Sequence, residues 1–232
     1  MPRSAPEHLI ATAELLRPML EDFVFIGGAI TFLLVTDVAA GRPRVTLDVD
    51  AITQASTYAE YVAVCEQLRL IGFSEDKREG SPLCRWVQAD LILDVMPLNE
   101  EVLGFSNRWY SEAWKTARSR HLTNDLEIRV TRPSYFLAMK FEAFRGRGGS
   151  DLLSSRDVED IVYVVDGRPE LLDEIKEEDR GLQSYLRDEF ELLLEDPYFL
   201  DALPGYLHPD SASQARSGII LDRLKKLARG HQ

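Results

Sequence analysis

The residues of this chain best suited to chemistry are three aspartates and a pair of glycines. Asp48 and Asp50 lie one residue apart in the run Val45-Thr46-Leu47-Asp48-Val49-Asp50-Ala51-Ile52. Its apolar and polar alternation reads as a strand, with Thr46, Asp48, Asp50 and Ile52 on one face and Val45, Leu47, Val49 and Ala51 on the other. Two like charges on one strand face repel, so the pair is expected to hold a cation. Asp94 stands in the apolar stretch Leu91 to Met96, with Ile92 and Met96 on its own face. An unpaired carboxylate there would be costly. Gly27-Gly28 closes the apolar run Phe23 to Ile26. Glycines at a strand end let the backbone approach a ligand and leave N–H groups free for a phosphate. In this order the residues supply what metal-dependent nucleotidyl transfer needs: Gly27 and Gly28 for a triphosphate, and Asp48, Asp50 and Asp94 as hard oxygen ligands for one or two Mg²⁺ ions about 3.5–4 Å apart. Thr46 is expected to face the nucleotide or simply to favour the strand.

Further along, Lys140 falls inside an apolar helical stripe, at about 40° on a wheel that starts at Phe136, with Phe144 at about 80°. A buried lysine must snorkel or find an anion, and a triphosphate is the obvious candidate. Asp157 borders the stripe of Val158, Ile161, Val164 and Val165; a first-turn carboxylate also suits a helix start. Asp160 lies further from that stripe. The basic stretch Arg145 to Ser150 reads as a flexible loop in which Arg145 can meet phosphates or only solvent. Trp109, Tyr110 and Trp114, near Arg108 and Arg118, are either a stacking surface or helical core.

The elements that must position these residues are legible in outline. Helices are expected over Glu7 to Leu20, Ala29 to Val38, Thr57 to Ile71 and Ser106 to Ala117, with strands at Phe23 to Ile26, Val45 to Ile52 and Leu126 to Thr131. A hairpin joins Leu83 to Gln88 with Leu91 to Met96 through Ala89-Asp90. From Pro133 onward the pattern is helical throughout: Pro133 to Phe144, Ser155 to Val165, Pro169 to Glu178, Leu182 to Leu194 and Ser211 to Arg229. This predicts an α/β (α+β) fold, a mixed β-sheet flanked by helices over residues 1–132, followed by a helical domain over 133–232 that closes the nucleotide cleft.

These motifs resemble the DNA polymerase β-like nucleotidyltransferase superfamily, and within it the AbiEii type of toxin, including MenT-like relatives. The matching residues are Phe25-Ile26-Gly27-Gly28, Arg44 to Asp50, Leu93-Asp94-Val95-Met96-Pro97, Leu137-Ala138-Met139-Lys140 and Ser155 to Ile161. The resemblance implies NTP binding, Mg²⁺ dependence, active-site roles for Lys140 and Asp157, and transfer of a nucleoside monophosphate. It also implies an RNA 3′ end, a tRNA in particular, or a protein as acceptor, and a cognate antitoxin as partner. Adenylylation of a small cationic molecule such as an aminoglycoside is the rival enzyme reading, and a catalytically silent nucleotide-binding or antitoxin-like partner is the rival from another class.

Composition bounds these readings. The 232 residues carry a net charge of −12, which argues against a protein that coats nucleic acid. That charge is uneven: twelve acidic and three basic residues lie between Glu170 and Asp201, and nine basic and four acidic between Arg108 and Arg147. No run of about 18 apolar residues exists, so no membrane span is expected. The start Met1-Pro2-Arg3-Ser4-Ala5-Pro6 lacks a secretory pattern, which makes the cytoplasm the expected compartment. Cys65 and Cys84 are the two cysteines, expected as buried free thiols. No Walker loop, G-x-S-x-G or H-E-x-x-H pattern occurs.

Overall fold

Apolar strand residues that cannot be left in water assemble one seven-stranded mixed sheet. A computed structural model describes residues 4–148 and 152–230. Its strands are β1 (Val24–Ile26), β2 (Asp48–Thr53), β3 (Ser74–Glu75), β4 (Arg85–Gln88), β5 (Leu91–Pro97), β6 (Arg118–His121) and β7 (Glu127–Val130), in the order β3-β4-β5-β2-β1-β7-β6. The pairs β2/β5 and β1/β7 are parallel and the rest antiparallel. Val49 pairs with Leu93 and Ala51 with Val95, and all four are fully buried on one face. Burial stabilises Val49, Leu93 and Val95 by about 1.5–3 kcal/mol each, and Ala51 by less. The helix Tyr58–Leu70 is joined to the sheet by Tyr61, whose hydroxyl donates to the Val95 carbonyl at 2.9 Å. Its start is a capping box between Thr57 and Glu60.

The chain divides into two units, residues 1–30 with 45–132, and residues 31–44 with 133–232. The sheet belongs to the first. The second holds the helices Pro133–Gly146, Arg156–Gly167, Arg180–Glu195 and Ser217–Arg229. Leu182, Leu186, Phe190 and Leu193 recur at helical spacing and are buried, Phe190 meeting Phe141 edge-on with ring centroids 5.1 Å apart. Residues 31–44, which the sequence reading placed in the catalytic half, group with these helices. Arg216 bridges Asp37 at 2.7 Å and Asp166 at 2.8 Å, and Arg168 donates to the Leu34 carbonyl at 2.6 Å.

Several elements differ from expectation for identifiable reasons. The helix expected over Ala29 to Val38 is a 3₁₀ turn, Gly28–Ile30, followed by four α-helical residues, Thr31–Leu34. It stops because the amides of Thr36 and Asp37 both donate to the Gly167 carbonyl, at 2.8 and 2.9 Å. The strand expected from Val45 begins only at Asp48. The β5 register starts with Asp48 opposite Ile92 and β1 ends with Ile26 opposite Asp50, so no ladder runs alongside residues 45–47. Val45 and Leu47 are accordingly 76% and 55% exposed instead of facing the core. The helix expected over Ser106 to Ala117 shortens to Tyr110–Lys115. Strand β6, Arg-Ser-Arg-His, has no hydrophobic alternation and is placed by its backbone pairing with β7. No helix among the described residues is long and apolar enough to cross a membrane. Cys65 and Cys84 are buried and free, as expected.

Candidate active site

Strand register gathers the acidic residues. Arg85 on β4, Asp94 on β5, Asp50 on β2 and Ile26 on β1 are successive neighbours in one row across the sheet. Neighbours in a row point to the same face, and Asp48 shares it two residues before Asp50. Thr46 is buried, and its hydroxyl donates to Asp48 Oδ1 at 2.7 Å, so it orients the first carboxylate. Gly27 has φ +70°, and a Cβ on it would collide with the Asp50 carboxylate and come within 2.7 Å of Asp50 Cβ. Only glycine satisfies both conditions, and Asp50 therefore lies directly on the turn that follows β1. Gly28 is buried at the start of the 3₁₀ turn.

A guanidinium lies between the other two carboxylates. Arg85 Nε meets Asp94 Oδ1 at 2.8 Å, Arg85 Nη2 meets Asp94 Oδ2 at 2.6 Å, and the same Nη2 reaches Asp48 Oδ2 at 3.2 Å. Hydrogen bonding to Asp94 raises the Arg85 pKa above its ordinary value, with Asp48 adding to it. Cys84, just before it, is pushed up to about 12, first by burial and then by Asp94 and Asp50.

In donor chemistry Asp48, Asp50 and Asp94 suit a hard divalent ion. They share one sheet face, and a cationic group already rests between two of them. Among the described residues no three His, Cys, Asp or Glu side chains converge into a group that could hold a metal ion.

The helical unit carries a second ionic cluster. Lys140 Nζ lies 2.7 Å from Asp160 Oδ2 and 3.2 Å from Asp157 Oδ1. Arg44 grips Asp160 through two bonds, Nε to Oδ1 at 2.8 Å and Nη2 to Oδ2 at 3.0 Å. Exposed Arg147 contacts Asp157 Oδ2. Asp157 and Asp160 are both buried, set by the helix Arg156–Gly167, whose start is capped by Ser155 accepting from the Val158 amide at 3.3 Å. Lys140 Nζ also lies 5.7 Å from the Phe136 ring centroid, within cation–π reach.

The structure thus brings Gly27, Thr46, Asp48, Asp50 and Asp94 together on the sheet, and Lys140 with Asp157 in the helical unit. Arg145 is held elsewhere, against Glu189 at 3.0 Å. Of the loop expected from Arg145 to Ser150, Gly149 and Ser150 lie outside the described residues. Trp109 and Trp114 are buried, with Arg108 and Arg129 over their rings at 4.8 and 4.6 Å, which favours core packing over a stacking surface. The sequence reading did not single out Arg85, and set Asp160 further from the apolar stripe than Asp157. Both had signals. With a turn at Ala89-Asp90, Arg85 must pair with Asp94, and Asp157 and Asp160 stand three apart on one helix face.

The fold has a solved counterpart. An antigenic nucleotidyltransferase-like protein from Paracoccidioides brasiliensis matches with a TM-score of 0.53 at 21% identity, covering 87% of this chain and 94% of its own. A candidate nucleotidyltransferase from Helicobacter pylori matches with a TM-score of 0.48 at 10% identity over 96% of each chain. No family model matches the sequence, and no curated protein matches it significantly. The mixed sheet and the helical C-terminal region therefore share the fold of the Paracoccidioides brasiliensis structure.

Proposed function

We propose that this chain is a Mg²⁺-dependent nucleotidyltransferase that moves a nucleoside monophosphate from an NTP to an acceptor hydroxyl. The observation that carries the proposal is the row in which Asp94 and Asp50 adjoin, with Asp48 on the same face and Gly27 against Asp50. Asp48 and Asp50 would hold the ion and Asp94 would complete the site. When bound, the ion neutralises the phosphates and polarises the α-phosphoryl group. The acceptor oxygen forms a bond to the α-phosphorus, the bond from that phosphorus to the pyrophosphate oxygen breaks, and Asp94 takes the acceptor proton. The backbone at Gly27-Gly28 binds phosphate oxygens, with Thr46 keeping Asp48 in orientation.

The helical unit has its own capacity for anions. Arg44, Lys140 and Arg147 gather around Asp157 and Asp160, and Arg147 is 71% exposed. Lys140 binds phosphate in this reading, and Asp157 and Asp160 fix its position. The acceptor we propose is macromolecular, an RNA 3′ end or a protein side chain, as the resemblance to AbiEii-type toxins implies; a toxin role with a cognate antitoxin goes with it.

The test is incubation with each labelled NTP, Mg²⁺ and either total tRNA or cell lysate. Wild type is expected to label RNA or protein, and Asp48→Ala to lose about 10³-fold or more in rate. A wild-type chain that binds no NTP in the presence of Mg²⁺ defeats the proposal. Label on a small molecule alone would replace the macromolecular acceptor with the aminoglycoside type.

A further inference from the structure

We propose that Arg85 is a resident counter-cation, which a divalent ion must displace from Asp94 and Asp48 before the carboxylate row can act. The inference deepens the nucleotidyl-transfer reading and rests on its metal site.

The geometry excludes simple coexistence. Both oxygens of Asp94 and one of Asp48 are bound to the guanidinium, at 2.6, 2.8 and 3.2 Å. An ion ligated by those oxygens would lie within a few ångströms of a second positive charge in a half-buried site, where repulsion is large. Arg85 cannot yield by losing its proton, because a guanidinium stays charged and these carboxylates raise its pKa further. It can yield by swinging, because its side chain is 22% exposed and starts from β4, one strand away from Asp94.

The charge count gives the arrangement a purpose. Asp48, Asp50 and Asp94 place three carboxylates on one sheet face, where like charges repel. Arg85 is bound to two of them and offsets part of that repulsion before an ion arrives. Metal affinity falls in consequence, since every ion that enters must break a bidentate pair. An ion brought in on a triphosphate has additional oxygen ligands and is less affected by this competition, so loading favours the metal–nucleotide complex over the bare ion.

The test is Mn²⁺ binding, without nucleotide, by wild type, Arg85→Gln, Arg85→Lys and Asp48→Asn. Arg85→Gln is expected to bind Mn²⁺ about 10- to 100-fold tighter, the range set by the loss of a charge-assisted bidentate pair. Its melting temperature should lie below wild type in chelator and recover with Mn²⁺, and Arg85→Lys should fall between the two. A measurement on wild type guards against variants that fail to fold. The Arg85 Nε–H resonance should shift and exchange faster with solvent on adding Mg²⁺ alone. Unchanged or weaker Mn²⁺ binding by a folded Arg85→Gln, or an Nε–H signal indifferent to saturating Mg²⁺, overturns this inference while leaving the nucleotidyl-transfer reading standing. No binding by any variant, or binding that Asp48→Asn leaves untouched, removes the metal site and both readings fail.

Discussion

Two ionic clusters of this molecule are built from the same side chains in opposite proportion. On the sheet, three carboxylates meet one guanidinium; in the helical unit, two carboxylates meet two guanidinium groups and an ammonium. Their burial differs as well. Asp157 and Asp160 have side chains 5% and 2% exposed, whereas Asp48 is 38% exposed. The carboxylates of the helical cluster are buried and depend on shared partners, while the acidic row keeps Asp48 open to solvent.

That contrast can be broken most decisively at Asp160. Asp160→Ala leaves Arg44 and Lys140 facing each other without their shared anion and should cost about 3–5 kcal/mol. Denaturant unfolding measures it, and a cost under about 1 kcal/mol would mean that the helical cluster is as open to solvent as the acidic row. The next effect is at Gly27. Gly27→Ala must both leave a left-handed φ of +70° and push aside Asp50. About 1–3 kcal/mol of lost stability is expected, with weakened metal binding. Gly41→Ala, where a Cβ meets nothing within 4 Å, should be close to neutral. Equal effects at the two positions would show that the Gly27 turn does not shape the acidic row.

The smallest effect concerns the thiols. Cys84 is pushed up to about 12 and Cys65 to about 11, burial being the first cause for both. A pKa raised in the folded state gives stability that is intact below the ordinary thiol value and is lost as pH rises through the folded one. Both cysteines should therefore resist thiol reagents at pH 8 and react on unfolding, with stability declining above about pH 9. Fast native labelling of Cys84 would mean that the wall behind the acidic row opens readily.

Much of the sheet was legible because period-two patterning and turn residues act locally. The β4–β5 hairpin shows this, its turn at Ala89-Asp90 and its pairing of Gln88 with Leu91 both following from sequence. So were the helices from Pro133 onward, where apolar spacing is strong. Strand β6 was not legible, because a charged edge strand is specified by its partner's backbone and not by its own side chains. The short helix ending at Leu34 was missed for a related reason: what stops it is the carbonyl of Gly167, more than 130 residues away in sequence. In the acidic row, residue types announced the carboxylates but not their counter-ion. Opposite charges nine residues apart, Arg85 and Asp94, become neighbours only once the hairpin register is written out. Lys140 was expected as a buried cation in need of an anion, with a triphosphate as the candidate; in the structure Asp157 and Asp160 lie against it.

The register of β2 against β5 has an evolutionary reading. Asp50 and Asp94 adjoin because two backbones are locked in phase, and side chains change faces with every step along a strand. Losing or gaining one residue between Trp86 and Leu93 would keep the composition and the hairpin's general character, yet turn Asp94 toward the apolar layer that holds Leu93 and Val95. Lineages of this fold should accumulate substitutions freely in that hairpin and length changes hardly at all. Sequences descending from a common ancestor should keep the spacing from Arg85 to Asp94 even where little else between them survives.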